Sequence, residues 1–403
     1  MSCYTAERLT DRVYWVGAID WHVRDFHGYR TGRGSTYNAY LVLADRITLV
    51  DTVKKPFREE MMARISSVIE PGEISCIVSN HSEMDHTGCL PETIRQLQPD
   101  VVYASRKGLE ALTAHFHFPD GTVTAVTEGE TVPLGNMHMT FVETRMLHWP
   151  DSMVSYIPEE RILFSQDGFG MHLASSERFD DELPESVLVE ESARYFANIL
   201  LPFSPLVKNT VDRLLSMNLE IDLLCPDHGP VRRSGISEAI GQWREWAGQR
   251  PSKNAVIVYD TMWNSTAALA DAVCDGLSSR GISVRVMPLG SCHRSDVATA
   301  VLEAGALVVG SPTINGQIFP TVADCMTYLK GLKPRNLVGG VFGSYGWSGE
   351  GVGHLESILR EMEIPLAGES IRVNYVPDCD SLEKARKLGE SIGNRLTEIC
   401  GGE

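Results

Sequence analysis

SNHSEMDHTG, residues 79–88, places two histidines and two carboxylates within six positions: His81, Glu83, Asp85 and His86. The stretch directly follows the apolar run SCIVSN, which predicts a buried strand that ends at this point. Side chains that leave one strand end together lie close enough to bind a metal ion jointly. A polar turn with a helix cap is the competing interpretation, and the metal-binding loop is the one we favour.

Three further candidate ligands occur in the same context, each just past a predicted strand. His148 follows MTFVETRML, Asp167 follows RILFSQ, and His228 comes two residues after IDLLCP. Layered α/β folds assemble their sites at strand ends of this kind. Each signal is weak alone, since Asp167 is also compatible with a turn cap, but the seven residues together predict a two-metal site.

The order of these residues resembles the metallo-β-lactamase fold. Its hydrolase members carry HxHxDH in this loop and commonly bind zinc, whereas Glu83 stands here in place of the second histidine. That substitution is characteristic of the flavodiiron proteins, also called A-type flavoproteins. The stretches GAIDWHVRDFHGY and ETRMLHWPDSM look like the rubredoxin:oxygen oxidoreductase branch of that family. A carboxylate is a harder donor than imidazole, which suits iron better than zinc.

The resemblance implies a di-iron centre with a defined ligand set. The implied ligands are His81, Glu83 and His148 on the first iron, Asp85, His86 and His228 on the second, and Asp167 between them. His27 and Tyr195 are candidates for hydrogen bonding near the irons, but neither belongs to a motif and a structural role is equally compatible.

The pattern of predicted strands and helices changes near residue 250. The first part reads as short strands with interspersed helices, which predicts a mixed α/β layered domain at residues 1–250. After the polar linker RPSKN, strand and helix alternate five times, which predicts a doubly wound parallel sheet at residues 251–403. By resemblance, the first is a metallo-β-lactamase-like αββα domain and the second is flavodoxin-like.

Three loops at strand ends of the second domain together look like a flavodoxin FMN site: TMWNST, SPTINGQIFP and GSYGWSGEG. Hydroxyl groups and free amides at a helix start bind phosphate, and glycines and aromatic rings admit a planar ring. A strand-to-helix turn capped by Ser and Thr also explains the first loop. The predicted contacts are Thr261, Met262, Trp263, Asn264, Ser265, Thr266, Pro312, Thr313, Ile314, Asn315, Gly316, Ser344, Tyr345, Gly346, Trp347, Ser348 and Gly349.

Composition limits the function class. A formal charge of −17 argues against nucleic-acid binding, and no apolar run approaches the length of about 20 residues that spans a membrane. The N-terminus lacks a signal-peptide pattern, so we expect a cytoplasmic protein. The nine cysteines include no CxxC pair, which predicts reduced thiols and no iron–sulfur or rubredoxin-like centre in this chain. Electrons must then come from a separate carrier.

The sequence therefore predicts an oxidoreductase with FMN and two irons. By resemblance, it reduces dioxygen to water, and also nitric oxide to nitrous oxide, with a rubredoxin-type donor. The resemblance further implies a head-to-tail homodimer or a dimer of dimers, because the flavin of one subunit meets the irons of the other. A metal-dependent hydrolase with an accessory flavin domain is the alternative, and a flavodoxin-like carrier with a structural metal domain is a third interpretation.

Overall fold

The computed structural model describes residues 4–401 as two compact units. The first contains the residues up to Tyr195 and Pro205–Arg244, and the second contains Phe196–Ser204 and the residues from Glu245 onward. No helix in residues 4–401 combines the length and apolar composition that crossing a bilayer requires. The eight cysteines in this range are free thiols, and Cys3 lies outside the described residues.

The first unit is built from short strands and seven helices, the last of which crosses into the second unit. The strands are β1 (Glu7–Arg8), β2 (Val13–Trp15), β3 (Ala18–Asp20), β4 (Asp25–Phe26), β5 (Tyr29–Arg30), β6 (Ser35–Tyr37), β7 (Tyr40–Val42), β8 (Thr48–Val50), β9 (Cys76–Ser79), β10 (Val101–Ser105), β11 (Thr124–Val126), β12 (Thr131–Pro133), β13 (His138–Glu143), β14 (Met153–Ile157), β15 (Ile162–Gln166) and β16 (Leu223–Pro226). The α-helices are α1 (Arg58–Ser66), α2 (Met84–Thr87), α3 (Leu90–Leu97), α4 (Arg106–Phe116), α5 (Glu185–Tyr195), α6 (Ser204–Ser216) and α7 (Ile236–Gly248). Short 3-10 turns occur at Lys55–Phe57, Pro71–Glu73 and Asp180–Glu182.

Two mixed sheets form the centre of this unit. The first has the order β1-β2-β7-β8-β9-β10-β11, antiparallel up to β8 and parallel from there. The second has the order β12-β13-β14-β15-β16, antiparallel except for the parallel pair β15–β16. The first unit also contains two small antiparallel ribbons, β3–β6 and β4–β5.

The two sheets pack face to face between layers of helices. Strand β9 illustrates this arrangement. The side chains of Cys76 and Val78 pack in the core between the sheets, and that of Ile77 packs in the core under the helices. Because both faces are covered, the strand is apolar throughout, as the sequence shows. Outside the second sheet, Leu163 lines a cavity together with residues of α6 and α7. The layers therefore follow the αββα order.

The stretch YNAYLVLA, residues 37–44, reads in the sequence as one continuous strand, but it contributes to two strands. Strand β6 ends at Tyr37 and pairs with β3, whereas β7 begins at Tyr40 and pairs with β2 and β8. The chain turns at Asn38, whose side-chain amide donates to the carbonyls of Pro226 (2.6 Å) and Gly229 (2.9 Å). Asn38 interrupts the strand, and its side chain holds the segment that carries His228.

The second unit alternates strands and helices. The strands are β17 (Asn254–Tyr259), β18 (Ser283–Pro288), β19 (Ala306–Ile314), β20 (Gln317–Ile318), β21 (Val338–Tyr345) and β22 (Ile371–Asn374). The helices are α8 (Ser265–Ser278), α9 (Arg294–Leu302), α10 (Pro320–Leu332), α11 (Glu350–Glu361) and α12 (Cys379–Gly401), with a π-helical turn at Phe196–Leu200 and a 3-10 turn at Leu201–Phe203.

These strands form one sheet in the order β18-β17-β19-β21-β22, parallel except for β20, which pairs antiparallel with β19. Ile257 and Val308 pack on α8 and α12 in one apolar core, and helices α9, α10 and α11 bury further apolar residues. The order is that of a flavodoxin-like doubly wound sheet, in which ligands bind past the carboxyl ends of the strands. The sequence-based boundary at residues 250 and 251 stays a prediction.

Candidate metal and flavin sites

The ends of four strands carry the predicted metal ligands. Strand β9 ends at Ser79, and its following loop holds His81 and Glu83 before α2 presents Asp85 and His86. Asp167 directly follows β15, His228 follows β16, and His148 lies in the loop between β13 and β14. The structure brings all seven side chains together in one cluster, within which His81, Asp85, His86, Asp167 and His228 are nearly inaccessible to solvent.

One half of the cluster surrounds His148. Its Nε2 lies 2.9 Å from Oε2 of Glu83 and 2.8 Å from Oδ2 of Asp167. Nε2 of His81 lies 3.4 Å from the same Asp167 oxygen and 4.0 Å from Oε2 of Glu83. Two histidines and two carboxylates therefore converge on a single point.

The other half of the cluster surrounds His228. Its Nε2 lies 3.2 Å from Oδ2 of Asp85 and 3.1 Å from Nε2 of His86. Both rings also approach Oδ1 of Asp167, at 3.6 Å for His228 and 3.5 Å for His86. The two oxygens of Asp167 thus face different halves, which is the arrangement of a carboxylate that bridges two metal ions.

The cluster contains buried polar atoms that need a cation. Among residues 4–401, Nε2 of His81, both carboxyl oxygens of Asp85 and Oδ1 of Asp167 are buried and lack a hydrogen-bond partner. Buried polar groups are almost always satisfied, so these atoms indicate a missing electrophile. The Nδ1 of His228 donates to the carbonyl of Thr36 (2.5 Å), which leaves its Nε2 lone pair free when the ring is neutral. The donors fit two metal ions.

The electrostatics of the cluster agree with this fit. Burial alone would raise the pKa of Asp85, but the facing histidines hold it below its usual range. Burial lowers the pKa of His86 to about 3, which keeps this ring neutral and able to bind metal. Burial alone would lower the pKa of His148, but the hydrogen bond to Asp167 and the nearby negative charges raise it to about 9. Three carboxylates, Glu83, Asp85 and Asp167, face these rings, and carboxylate-rich sites of this kind suit iron.

Several buried residues that sequence reasoning missed hold the ligand loops. Asn80 donates from its backbone and from its side chain to the two carboxyl oxygens of Asp51, each at 2.7 Å, and thereby fixes the start of the loop at His81. Burial raises the pKa of Asp51 to about 6. The amide of Gln166 donates to the carbonyl of Leu147, immediately before His148. The signal available in the sequence was that Asn80 and Gln166 adjoin predicted ligands, whereas Asp51 adjoins none.

A hairpin made of β4 and β5 lies over the cluster. Phe26 packs on the ring of His172 at 4.8 Å between centroids, and Nε2 of the exposed His27 lies 4.0 Å from Oε1 of Glu83. From the opposite element, Tyr195 is buried, and burial, the negative charges and a hydrogen bond to Asp167 raise its pKa. Both residues that the sequence singled out near the irons therefore lie at the cluster.

A cavity of about 500 Å³ occupies the carboxyl ends of β17, β19, β21 and β22. It is lined by Met262, Trp263, Ser265, Pro312, Thr313, Ile314, Asn315, Gly316, Ser344, Tyr345, Gly346, Trp347, Ser348, Tyr375 and Val376. Tyr375 and Val376, which follow β22, were not predicted. The indoles of Trp263 and Trp347 are 88% and 90% exposed, an unfavourable state that a bound planar ring would relieve.

The other predicted flavin contacts lie beside this cavity. Thr266 is buried in the first turn of α8, where its hydroxyl pairs with that of Ser344 at 2.9 Å. The hydroxyl of Thr261 is buried without a partner in the described chain. Asn264 precedes the helix with a positive φ of 66°, and Gly349 packs against the ring of Tyr345. A helix N-terminus with free hydroxyl groups fits a phosphate, so the residues present match FMN.

Comparison with known families supports both halves of this description. Residues 36–229 match the family model described as ODP family beta lactamase, and residues 257–389 match that of flavodoxin. These matches confirm the predicted fold class, an αββα domain followed by a flavodoxin-like domain.

Relatives of known name resemble the whole chain. A nitric oxide reductase from Moorella thermoacetica is 42% identical over 97% of this chain and 98% of its own length. A rubredoxin-oxygen oxidoreductase from Megalodesulfovibrio gigas is 41% identical with the same coverage. Among solved structures, the rubredoxin oxygen:oxidoreductase from Desulfovibrio gigas has a TM-score of 0.96 at 40% identity, covering 98% of this chain and 100% of that one. A flavodiiron protein from Giardia intestinalis has a TM-score of 0.95 at 32% identity, covering 100% and 99%.

Proposed function

This chain belongs to the flavodiiron protein family, and from that membership we infer an oxidoreductase that reduces dioxygen to water at a di-iron centre, with electrons supplied through FMN. Nitric oxide is the second substrate, and its product is nitrous oxide. The observation that carries this inference is the division of the two Asp167 oxygens between two clusters, each with two histidines and a carboxylate. Bound iron supplies adjacent redox-active positions for a diatomic molecule, and bound FMN supplies electrons one at a time.

We propose the following ligand set for the two irons. His81, Glu83 and His148 would hold the first, Asp85, His86 and His228 the second, and Asp167 both. The supporting observations are the buried unpaired atoms and the interatomic distances of 2.8–4.0 Å among these side chains. Glu83 decides the class of reaction, because a histidine in its place would favour a zinc hydrolase.

The protein groups around the irons position protons and limit water. Tyr195 keeps its hydroxyl proton at neutral pH because burial, reinforced by nearby carboxylates, raises its pKa. Asp167 is among the carboxylates that raise this pKa, so Tyr195 holds a proton beside the cluster. His27, exposed at the hairpin tip, gives a solvent-facing imidazole near Glu83. Phe26 covers the side of His172 and His228 with an apolar ring, which keeps bulk water away from this wall.

We further propose that FMN occupies the cavity in the second unit. Its phosphate would bind the loop between Thr261 and Thr266, where α8 begins with free amides. The ring would lie against Trp347 and Tyr345, on the loop that follows β21. The Asn315–Gly316 turn, with positive φ at both residues, brings backbone groups to the cavity edge.

The partners follow from the chemistry. An external rubredoxin-type carrier is the proposed donor, in keeping with the name of the M. gigas relative. We propose a head-to-tail homodimer, alone or as a dimer of dimers, in which the flavin of one subunit meets the irons of the other. A cytoplasmic location and the domain limits 1–250 and 251–403 likewise stay proposals from the sequence.

The decisive experiment is anaerobic reduction of the purified protein followed by pulses of dioxygen or nitric oxide. We expect near two irons and one FMN per chain, rapid reoxidation of the flavin, and water or nitrous oxide as the product. The gas that reoxidises the flavin faster is the preferred substrate. Two zincs with thioester or β-lactam hydrolysis would support the hydrolase alternative instead. Flavin reduction without uptake of either gas would support the third interpretation, a flavodoxin-like electron carrier.

A further inference from the structure

Two of the clustered histidines turn their second ring nitrogen toward the same carboxylate. Oδ2 of Asp227 lies 3.6 Å from Nδ1 of His81 and 3.8 Å from Nδ1 of His86. Asp227 is completely buried. Within the described chain, neither Nδ1 atom and neither carboxyl oxygen of Asp227 has a hydrogen-bond partner. Four unpaired polar atoms therefore lie together behind the metal-facing side of the cluster.

The chemistry of a bound histidine explains this grouping. A neutral imidazole that binds metal through Nε2 carries its proton on Nδ1, and a buried N–H needs an acceptor. A bridging water, whose two hydrogen bonds meet near the tetrahedral angle, would need a separation of about 4.6 Å, so none fits between these atoms. The observed gaps exceed a direct hydrogen bond by less than 1 Å. Asp227 is the acceptor in reach.

We propose that Asp227 is a positioning residue shared by the two halves of the di-iron centre. It accepts the Nδ1–H of His81, which serves the first iron, and of His86, which serves the second. In this way a single buried carboxyl group orients one histidine on each metal and strengthens both as donors. The proposal rests on the ligand set given under the proposed function.

The contrast with His228 shows what the carboxylate adds. The Nδ1 of His228 donates to the backbone carbonyl of Thr36, a neutral acceptor. A carboxylate pulls the shared proton more strongly, which increases the electron density at Nε2 and favours ferric over ferrous iron. Each iron would then have one histidine supported by Asp227, so replacing this carboxyl group should change both irons together.

The backbone around Asp227 is held independently of its side chain. Its N–H donates to the carbonyl of Gln166 (2.8 Å), and its carbonyl accepts from the backbone N–H of Asn38 (2.7 Å). An Asn at this position keeps the volume and these backbone bonds, but it replaces the carboxyl group by a neutral amide with a single acceptor oxygen and an NH2 donor. Asp227→Asn is therefore a clean test, and Asp222→Asn, at an exposed carboxylate five residues earlier, is the matched control.

The experiment compares wild type, Asp227→Asn and Asp222→Asn as full-length holoproteins. Iron per chain, release of iron from the reduced protein to a ferrous chelator, and Mössbauer spectra are measured, with FMN content as an internal check. We expect Asp227→Asn to bind iron about 10- to 100-fold more weakly. Both Mössbauer doublets should shift, while FMN content stays at the wild-type level. The control should match wild type in every readout.

Thermal unfolding separates positioning from a structural role. Without metal, Asp227→Asn should be about as stable as wild type, because the two side chains have the same shape and both backbone hydrogen bonds of residue 227 remain. Iron should then raise its Tm less than it raises that of wild type. Wild-type iron binding in the variant, a shift in one doublet only, or a large loss of metal-free stability would each overturn the proposal. If the protein holds zinc and consumes no electrons, the proposed function fails, yet metal release still tests Asp227.

Discussion

Oε2 of Glu83 lies 2.9 Å from Nε2 of His148, so the carboxylate that distinguishes this chain from the zinc hydrolases faces a histidine of its own half of the cluster. The pair joins a residue after β9 to one between β13 and β14, which are strands of different sheets. The proposed site of the first metal ion therefore includes a contact across the sandwich.

Replacing Glu83 by His should change the metal preference. The variant gains a nitrogen ligand and loses a hard anionic one, so zinc should compete better with iron. We expect a higher zinc-to-iron ratio after expression with both metals, and dioxygen uptake at least about tenfold slower. Glu92→Gln, at a surface residue of α3, is the control. A variant with wild-type iron content and rate would show that Glu83 does not select the metal.

Asp167→Asn should affect both halves of the cluster, whereas Asp85→Asn should affect one. Asp167 presents an oxygen to each half, but Asp85 faces only His86 and His228. We expect iron to fall below one per chain in the first variant and to stay near one in the second. Metal analysis and Mössbauer spectroscopy measure this difference. Equal losses in both variants would contradict a bridging position for Asp167.

Thr266→Ala should weaken FMN binding without changing iron content. The substitution removes a buried hydroxyl from the proposed phosphate loop and leaves Ser344 without its partner. A loss of about 1–3 kcal/mol corresponds to FMN affinity about 5- to 150-fold weaker. Release of fluorescent free FMN on dilution measures it, with Thr397→Ala near the end of α12 as the control. Unchanged FMN affinity would place the phosphate elsewhere.

Mixing two inactive variants tests the proposed dimer. Asp167→Asn retains flavin but lacks an intact iron centre, and Thr266→Ala, dialysed until its weakly held FMN is removed and assayed without added FMN, retains iron but carries no flavin. After subunit exchange, half of the dimers are mixed, and each has one complete flavin–iron pair in a head-to-tail arrangement. We therefore expect about a quarter of the wild-type rate. Activity that stays near zero after verified exchange would mean that electrons pass within one chain.

Alkaline pH should destabilise the second unit through Cys325. Burial, with a smaller contribution from Asp324, raises the pKa of this thiol to about 12, whereas an unfolded thiol ionises near 9. Because the folded pKa is the higher one, the stabilising contribution is complete below pH 9 and is lost between about pH 9 and pH 12.

Urea unfolding at pH 8 and pH 10 measures this loss, which should reach about 1 kcal/mol for Cys325 at pH 10. Cys325→Ala should show a smaller decrease than wild type, and Cys379→Ser, at an exposed cysteine, should behave as wild type. The same decrease in all three proteins would assign the pH effect to other groups.

The strand ends were predictable because buried strands are apolar on both faces. The run SCIVSN stops where His81 begins, and RILFSQ stops at Asp167, so each boundary is visible in one sequence. The loop after β22 follows the same rule, and the sheet order places β22 beside β21. Tyr375 and Val376 were therefore within reach of prediction from the flavodoxin-like order.

Other features were not predictable because they depend on contacts between distant residues. Asp227 stands next to His228 in the chain, yet its side chain faces His81 and His86, which come more than 140 residues earlier. No local pattern encodes that contact. The break at Asn38 inside an apolar run has the same origin, since it serves the segment around Pro226.

The two exposed indoles at the flavin cavity have a practical consequence. Trp15 and Trp243 are buried in the first unit, whereas Trp263 and Trp347 stand in solvent. Intrinsic fluorescence of the flavin-free protein should therefore contain a red-shifted component from this cavity, and a bound isoalloxazine should quench it. Tryptophan fluorescence therefore reports how much of the protein has bound its flavin, and it can be measured quickly during purification.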